Sequence, residues 1–146
     1  MKLEAKRYFL EKFGVHPTTA INFDPFGHTV GLVQIMKKCG QDSYIFTRPY
    51  GSQLDLDDDL FYWEGLDGSK IKAFRARGYN SGLGKSREAI EKKANEDDHE
   101  TTLILWGVGN HGGGPSDKDL TDIADLIITS ENEYLHSTPE KYFGEV

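Results

Sequence analysis

Thr18-Thr19-Ala20-Ile21-Asn22-Phe23-Asp24-Pro25-Phe26-Gly27-His28 is the stretch on which the fold reading turns. Residues 18–23 are rich in β-formers and predict a short strand, which Asp24-Pro25-Phe26-Gly27 closes. Pro25 biases Asp24 away from the helical region, and Asp first with Gly fourth suits a type I turn. The carboxylate is then expected to project from the strand end. Upstream, Tyr8, Phe9 and Phe13 fall at helical spacing among Lys and Glu, with Gly14 as a stop, so residues 2–13 read as a helix. Downstream, Val30, Val33, Ile35 and Met36 form one stripe of a helix from Thr29 to Cys39, capped by Gly40.

The same alternation continues. SYIF (43–46) predicts a strand, and LFYW (60–63) with KIKAFRA (70–76) predict two more, joined in a hairpin at Leu66-Asp67-Gly68-Ser69. Asp55 to Asp59 reads as a solvated loop. Residues 85–97 predict a polar helix, and the unbroken apolar run TTLILW (101–106) predicts a strand covered on both faces. Ser116 is a good N-cap for a helix to about Ile127, with Asp117 and Asp119 in its first turn. The tail from Tyr134 shows no cap or closing strand. Together these elements predict an α/β fold with ligands gathered at the carboxyl ends of mostly parallel strands. A chain that starts inside one helix and stops after another motif is expected to be a piece of a larger catalytic domain.

Composition narrows the function classes. With 24 acidic against 17 basic side chains the formal charge is -7, which repels phosphate backbones and anionic lipid; nucleic acid and membrane are therefore not expected as partners. Cys39 stands alone, so no internal disulfide forms and a reducing compartment fits. The charged N-terminal segment lacks the apolar stretch of a secretory signal, and no run approaches a membrane span. A cytoplasmic setting is the expectation.

Two loops could carry chemistry. In the first, Asp24 and His28 are competent metal ligands, although turn-capping for Asp24 and packing for His28 remain open on spacing alone. The second, Trp106-Gly107-Val108-Gly109-Asn110-His111-Gly112-Gly113-Gly114-Pro115-Ser116, lets something approach the backbone closely. It fits a dinucleotide fingerprint only loosely and lacks the phosphate-loop lysine. Gly84-Lys85-Ser86 falls one residue out of register with a phosphate loop, so residues 81–86 read as a flexible lead into a helix. Tyr62 and Trp63 read as core aromatics, with an apolar face for a sugar ring as the alternative, and Arg48 as a charge partner for a strand-end carboxylate or a solvated loop residue.

In order along the chain, Tyr8-Phe9-Leu10-Glu11-Lys12-Phe13-Gly14-Val15, the N-x-D-P-F-G-H block (22–28), G-x-D (40–42), F-x-W-E-G-x-D-G-S (61–69) and the glycine-rich block (106–116) resemble glycoside hydrolase family 38, the class II α-mannosidases. The resemblance implies that residues 1–146 are a fragment of that family's N-terminal catalytic domain, a seven-stranded β/α barrel. It implies retaining hydrolysis of mannosyl oligosaccharides, with two carboxyl groups about 5–5.5 Å apart. Asp24 is implied as both nucleophile and zinc ligand, Phe26 as pocket lining, and Arg48 as a cation near the carboxylate that favours its charged form.

The sequence departs from the family pattern where the acid/base carboxyl is expected. Asn110 stands there and cannot usefully transfer a proton; the adjacent His111 is the acid/base candidate, with an acid from another position as the alternative. The family's remaining Zn2+ ligands come from an H-x-D segment and a histidine-aspartate motif, neither of which occurs between Met1 and Val146. The chain by itself is thus expected neither to hold zinc tightly nor to hydrolyse mannosides. Competing readings are a small α/β phosphate- or nucleotide-binding module and a noncatalytic carbohydrate-binding relative. Homo-oligomerisation of the complete enzyme is left open.

Overall fold

In the computed structural model, which describes residues 2–109 and 112–146, the β-formers of the opening stretch find parallel partners. The chain runs α1 (Lys2–Phe13), β1 (Thr19–Asn22), α2 (Leu32–Lys38), β2 (Ser43–Phe46), β3 (Leu60–Glu64) and β4 (Lys70–Arg75). β1 pairs in parallel with β2 and β2 with β4, while β3 returns antiparallel to β4, giving the order β1-β2-β4-β3. Gly68 takes φ +78° in the hairpin turn, where Gly65 N–H donates to Ser69 O at 2.8 Å.

Strand alternation decides which face is buried. Register places Ala20, Tyr44 and Ala73 side by side, with Ile71 and Phe46 on the same face. α2 lays Val33 and Met36 on it, both 0% exposed, and Phe61 and Trp63 pack at its border. Burying each such side chain stabilises by about 1.5–3 kcal/mol. The stripe drawn from sequence is narrower than expected, because Val30 and Ile35 are exposed. Ile35 lies roughly 200° round the helix from Val33, and Val30 falls in a turn where Leu32 N–H donates to Thr29 O. Of the strand aromatics, Tyr62 is exposed rather than core.

The acidic run is also less solvated than its composition suggests. Asp59 accepts from Arg75 Nε at 2.7 Å, and Arg75 Nη1 donates to Leu54 O at 2.6 Å. These two side chains are 15% and 11% exposed, so the run is pinned to the sheet at its C-terminal end.

Met1–Arg75 forms one compact unit and Ala76–Val146 a second. The second holds α3 (Ser86–Asn95), α4 (Asp117–Thr129) and α5 (Pro139–Glu145). Ile90 of α3 meets Ile123 and Leu126 of α4, with Ile104, Trp106, Ile127 and Tyr134 packed against them. The expected TTLILW strand does not form: residues 102–106 are half-buried but join no ladder. The Leu105 carbonyl is instead satisfied by Lys93 Nζ at 2.7 Å, and burial lowers the Lys93 pKa. The tail, read from sequence as lacking a cap, carries α5 with Thr138 as its N-cap, the hydroxyl accepting from Lys141 N–H, and Pro139 in the first turn.

The fold is therefore α/β with a mixed four-stranded sheet. Two of its three pairings are parallel, as expected, but among the described residues the sheet is open and the seven-stranded closure is absent. No helix among them is long and apolar enough to cross a membrane.

Candidate active site

Asp24 follows β1 at its carboxyl end, and its side chain remains 47% exposed. Pro25 beneath it is buried. Gly27 takes φ +145°, a region that L side chains rarely adopt, and a Cβ there would meet nothing within 4 Å. Backbone conformation, not crowding, makes glycine the fitting residue in this turn.

β2 supplies the turn's partners. Tyr44 and Phe46 share one face of the strand, and Arg48 follows two residues later at its end. Arg48 Nε lies 2.7 Å from Asp24 Oδ1 and also donates to Tyr50 Oη at 3.0 Å. Its guanidinium carbon stands 5.4 Å from the Phe26 ring centroid and 5.3 Å from that of Tyr50. Both are cation–π distances. The sequence-named trio Asp24, Phe26 and Arg48 is thus brought together in one cluster, with Phe26 92% exposed.

His28 closes the segment from inside. Its ring meets Tyr44, Phe46 and Trp63 edge-on at 5.2–5.7 Å, and Nε2 lies 3.1 Å from Tyr44 Oη. Burial lowers the His28 pKa, favouring the neutral imidazole. Burial also raises the Tyr44 pKa, with the nearby Asn22 side chain acting in the opposite direction. Beside this cluster opens a cavity of about 690 Å³, walled by Phe26, His28, Phe46, Leu56, Phe61 and Trp63 with Arg48 and Gln53 as polar groups. An apolar, aromatic wall with few polar groups is the usual make-up of a small-molecule site.

The glycine-rich block belongs to the second unit. Gly107 N–H donates to Ser81 Oγ at 3.1 Å, and Gly107 O accepts from Ser81 N–H at 2.8 Å. A Cβ on Gly109 would fall 2.8 Å from the Tyr79 ring. What approaches this backbone closely is therefore the protein's own aromatic. His111, the acid/base candidate, and Asn110 lie outside the described residues.

Residues 81–86, expected to be flexible, are tied down by a fully buried carboxylate. Asp119 accepts from Gly84 N–H at 3.0 Å, Ser86 N–H at 3.1 Å, Ser116 N–H at 3.0 Å and Ser116 Oγ at 2.7 Å. The Ser116 hydroxyl leads the interactions that hold its carboxyl far below the usual carboxylate range. The Gly84 and Ser86 amides are thus taken by an internal anion, in keeping with the reading that residues 84–86 are not a phosphate loop.

Among the described residues no group of three or more His, Cys, Asp or Glu could hold a metal ion. Asp24 offers one carboxylate, with one oxygen engaged by Arg48. The described residues do not compose a zinc centre by themselves.

The profile described as the Glycosyl hydrolases family 38 N-terminal domain matches residues 2–146. The chain belongs to glycosyl hydrolase family 38. Among curated relatives of this family 38 chain, Alpha-mannosidase 2C1 of Mus musculus is 30% identical over 132 residues, covering 87% of the chain. Alpha-mannosidase G of Dictyostelium discoideum is 28% identical over 153 residues, covering 99%. The chain spans only 13% and 14% of those two proteins. The crystal structure of an alpha-mannosidase from Enterococcus faecalis V583 aligns with a TM-score of 0.71 at 19% identity, covering 99% of the chain and 18% of that protein. At that identity the likeness concerns the fold.

Sequence reasoning missed Tyr44, whose hydroxyl lies 3.1 Å from Nε2 of His28, the residue that ends the Asn22–His28 segment. The signal was available: Tyr44, Phe46 and Arg48 recur with period two on a strand beside the segment. Asp119 was read as a helix-dipole residue, and its wider role needed the tertiary proximity of residues 84–86.

Proposed function

We propose that this family 38 chain supplies the nucleophile of a retaining α-mannosidase acting on mannosyl oligosaccharides. Asp24 attacks the anomeric carbon of an α-linked mannose, and water later releases the sugar from the enzyme ester. The observation that carries this reading is the half-exposed Asp24 carboxylate at a strand's carboxyl end, held by Arg48 beside an aromatic-walled cavity. Arg48 orients the carboxylate and leaves Oδ2 available for attack. Phe26 offers a ring face for the apolar side of the sugar, and His111 is the proton donor to the leaving oxygen.

In this reading the four-stranded sheet is part of a seven-stranded β/α barrel, and residues 1–146 are a fragment of its catalytic domain. In the complete enzyme Asp24 would serve as one ligand of zinc, and the remaining ligands would come from outside this chain. A cytoplasmic setting agrees with the lone Cys39.

The test is Asp24→Asn in the protein that carries this chain, assayed with an aryl α-mannoside. Turnover should fall by at least about 10³-fold. An activated 2-fluoro-mannoside should leave a covalent adduct on the peptide containing Asp24 in the wild-type protein alone. Wild-type turnover in the variant, or an adduct elsewhere, removes Asp24 from the chemistry.

A further inference from the structure

Asn22, Phe46 and Arg75 stand in register at the carboxyl ends of β1, β2 and β4. Asp24 and Arg48 follow the first two. Residues 47–59 join β2 to β3 without a helix or strand. Connections of that length usually serve a site or form mobile linkers, and this one is tied down. Arg75, only 9% exposed, holds it at both ends of its guanidinium: Nε donates to Asp59 Oδ1 at 2.7 Å and Nη1 to the Leu54 carbonyl at 2.6 Å. A Cβ on Gly51 would stand 3.9 Å from Nη2, so the group lies beside the preceding turn as well.

That turn is closed on itself. Gln53 and Leu54 N–H both donate to the Tyr50 carbonyl, at 2.8 and 3.0 Å, and the Gln53 side chain accepts from Tyr50 N–H at 3.1 Å. At one corner the Tyr50 hydroxyl accepts from the same Arg48 Nε that meets Asp24. At the other, Gln53 and Leu54 form part of the cavity wall beside that carboxylate.

We propose that Arg75 is a positioning residue for this site: by holding the Leu54 carbonyl it sets the 50–54 turn, and with it the cavity wall and the Tyr50 support of Arg48. The inference rests on the reading of Asp24 as nucleophile. Stability alone does not account for the arrangement, because a buried ion pair gains little over an apolar replacement. Charge alone does not either, since a lysine would also neutralise Asp59. The planar guanidinium fixes two acceptors at set angles, whereas an ammonium is a point charge on a flexible stem. Arg75 can thereby grip a carboxylate with one nitrogen and the turn's backbone with another.

The experiment compares Arg75→Met and Arg75→Lys with Asp24→Asn and a core control, Ile71→Val, in the protein that carries this chain. Kinetics on an aryl α-mannoside, melting temperature and hydrogen exchange of the peptide spanning residues 47–59 are read on each. Both Arg75 variants should lose about 10- to 100-fold in kcat/KM. Exchange at the Gln53 and Leu54 amides should rise at least about 10-fold. Arg75→Lys keeps a cation for Asp59, so it should regain most of the melting temperature lost in Arg75→Met without regaining kcat/KM. Should Arg75→Met not fold, Arg75→Lys decides alone. Ile71→Val should melt lower with kcat/KM and loop exchange unchanged. Wild-type loop exchange or wild-type kcat/KM in Arg75→Lys, or an equal kcat/KM loss in Ile71→Val, overturns the positioning role while Asp24→Asn remains inactive. Turnover by Asp24→Asn, or no α-mannoside hydrolysis by the wild type, overturns both the role and the reading beneath it.

Discussion

Arg48 Nε and Asp24 Oδ1 stand 2.7 Å apart, joining the end of β2 to the turn that follows β1. The pair is open to solvent, at 37% and 47% side-chain exposure. Exposed pairs of this kind contribute about 0.2–1 kcal/mol to stability. Its consequence is expected in rate rather than in folding. Arg48→Ala should shift the unfolding free energy by less than about 1 kcal/mol, yet lower turnover of an aryl α-mannoside about 100-fold. Urea titration and steady-state kinetics on the same preparation separate the two, and a large stability loss with normal kcat would contradict the assignment.

His28 gives a pH signature. Burial lowers its pKa, so the unfolded chain takes up the proton first as pH falls. Its stabilising effect is then complete above the ordinary imidazole value of about 6.5 and declines below it. Trp63, with its ring centroid 5.4 Å from the imidazole, reports the event directly. In a Trp106→Phe background, emission should fall with a midpoint below about 6.5, and His28→Gln should flatten the curve.

Asp119 predicts the opposite kind of acid sensitivity for the second unit. Its carboxyl is held far below the usual carboxylate range, chiefly by Ser116. A depressed pKa stabilises above the unfolded value of about 3.9 and loses that contribution as pH falls through it toward the folded value. Asp119→Asn places an amide where donors already converge, so it should lower the melting temperature at neutral pH and weaken its dependence on acid. Circular dichroism melts from pH 3 to pH 7 provide the check.

Gly109 tests the anchoring of the glycine-rich block. A methyl group there would press on the Tyr79 ring at 2.8 Å, and overpacking of this sort costs about 1–3 kcal/mol. Gly109→Ala should be destabilised by that amount, and adding Tyr79→Leu should recover part of it in a denaturant titration. An unchanged midpoint in the single variant would show that the ring simply turns aside.

Much of the fold was legible because the signals are local. β1, β2, the β3–β4 hairpin and the capped α4 each carry their own propensity, turn or cap chemistry within a few residues. The TTLILW run shows the limit of such reading. An apolar stretch reports burial, but a ladder requires a neighbour that composition does not specify, and Lys93 supplies the Leu105 carbonyl with a partner instead. α5 was overlooked because its apolar content is small, although Thr138-Pro139 was a usable start signal.

The site was legible in part for the same reason. Arg48 lies against both Asp24 and Phe26. The roles of Tyr44 and Asp119 depend on which strands and helices become neighbours. No window of sequence around Tyr44 reveals that its hydroxyl sits against His28.

The two-residue rhythm of Tyr44, Phe46 and Arg48 makes the pocket intolerant of sliding between β1 and β2. A shift by a single position would send Tyr44 and Phe46 to the opposite side of the sheet and carry Arg48 off with them, stripping Asp24 of its cation and His28 of its hydroxyl at one stroke. A misregistered chain would thus be silent in a glycosidase assay rather than sluggish. The specific activity of a refolded sample should accordingly count correctly threaded molecules.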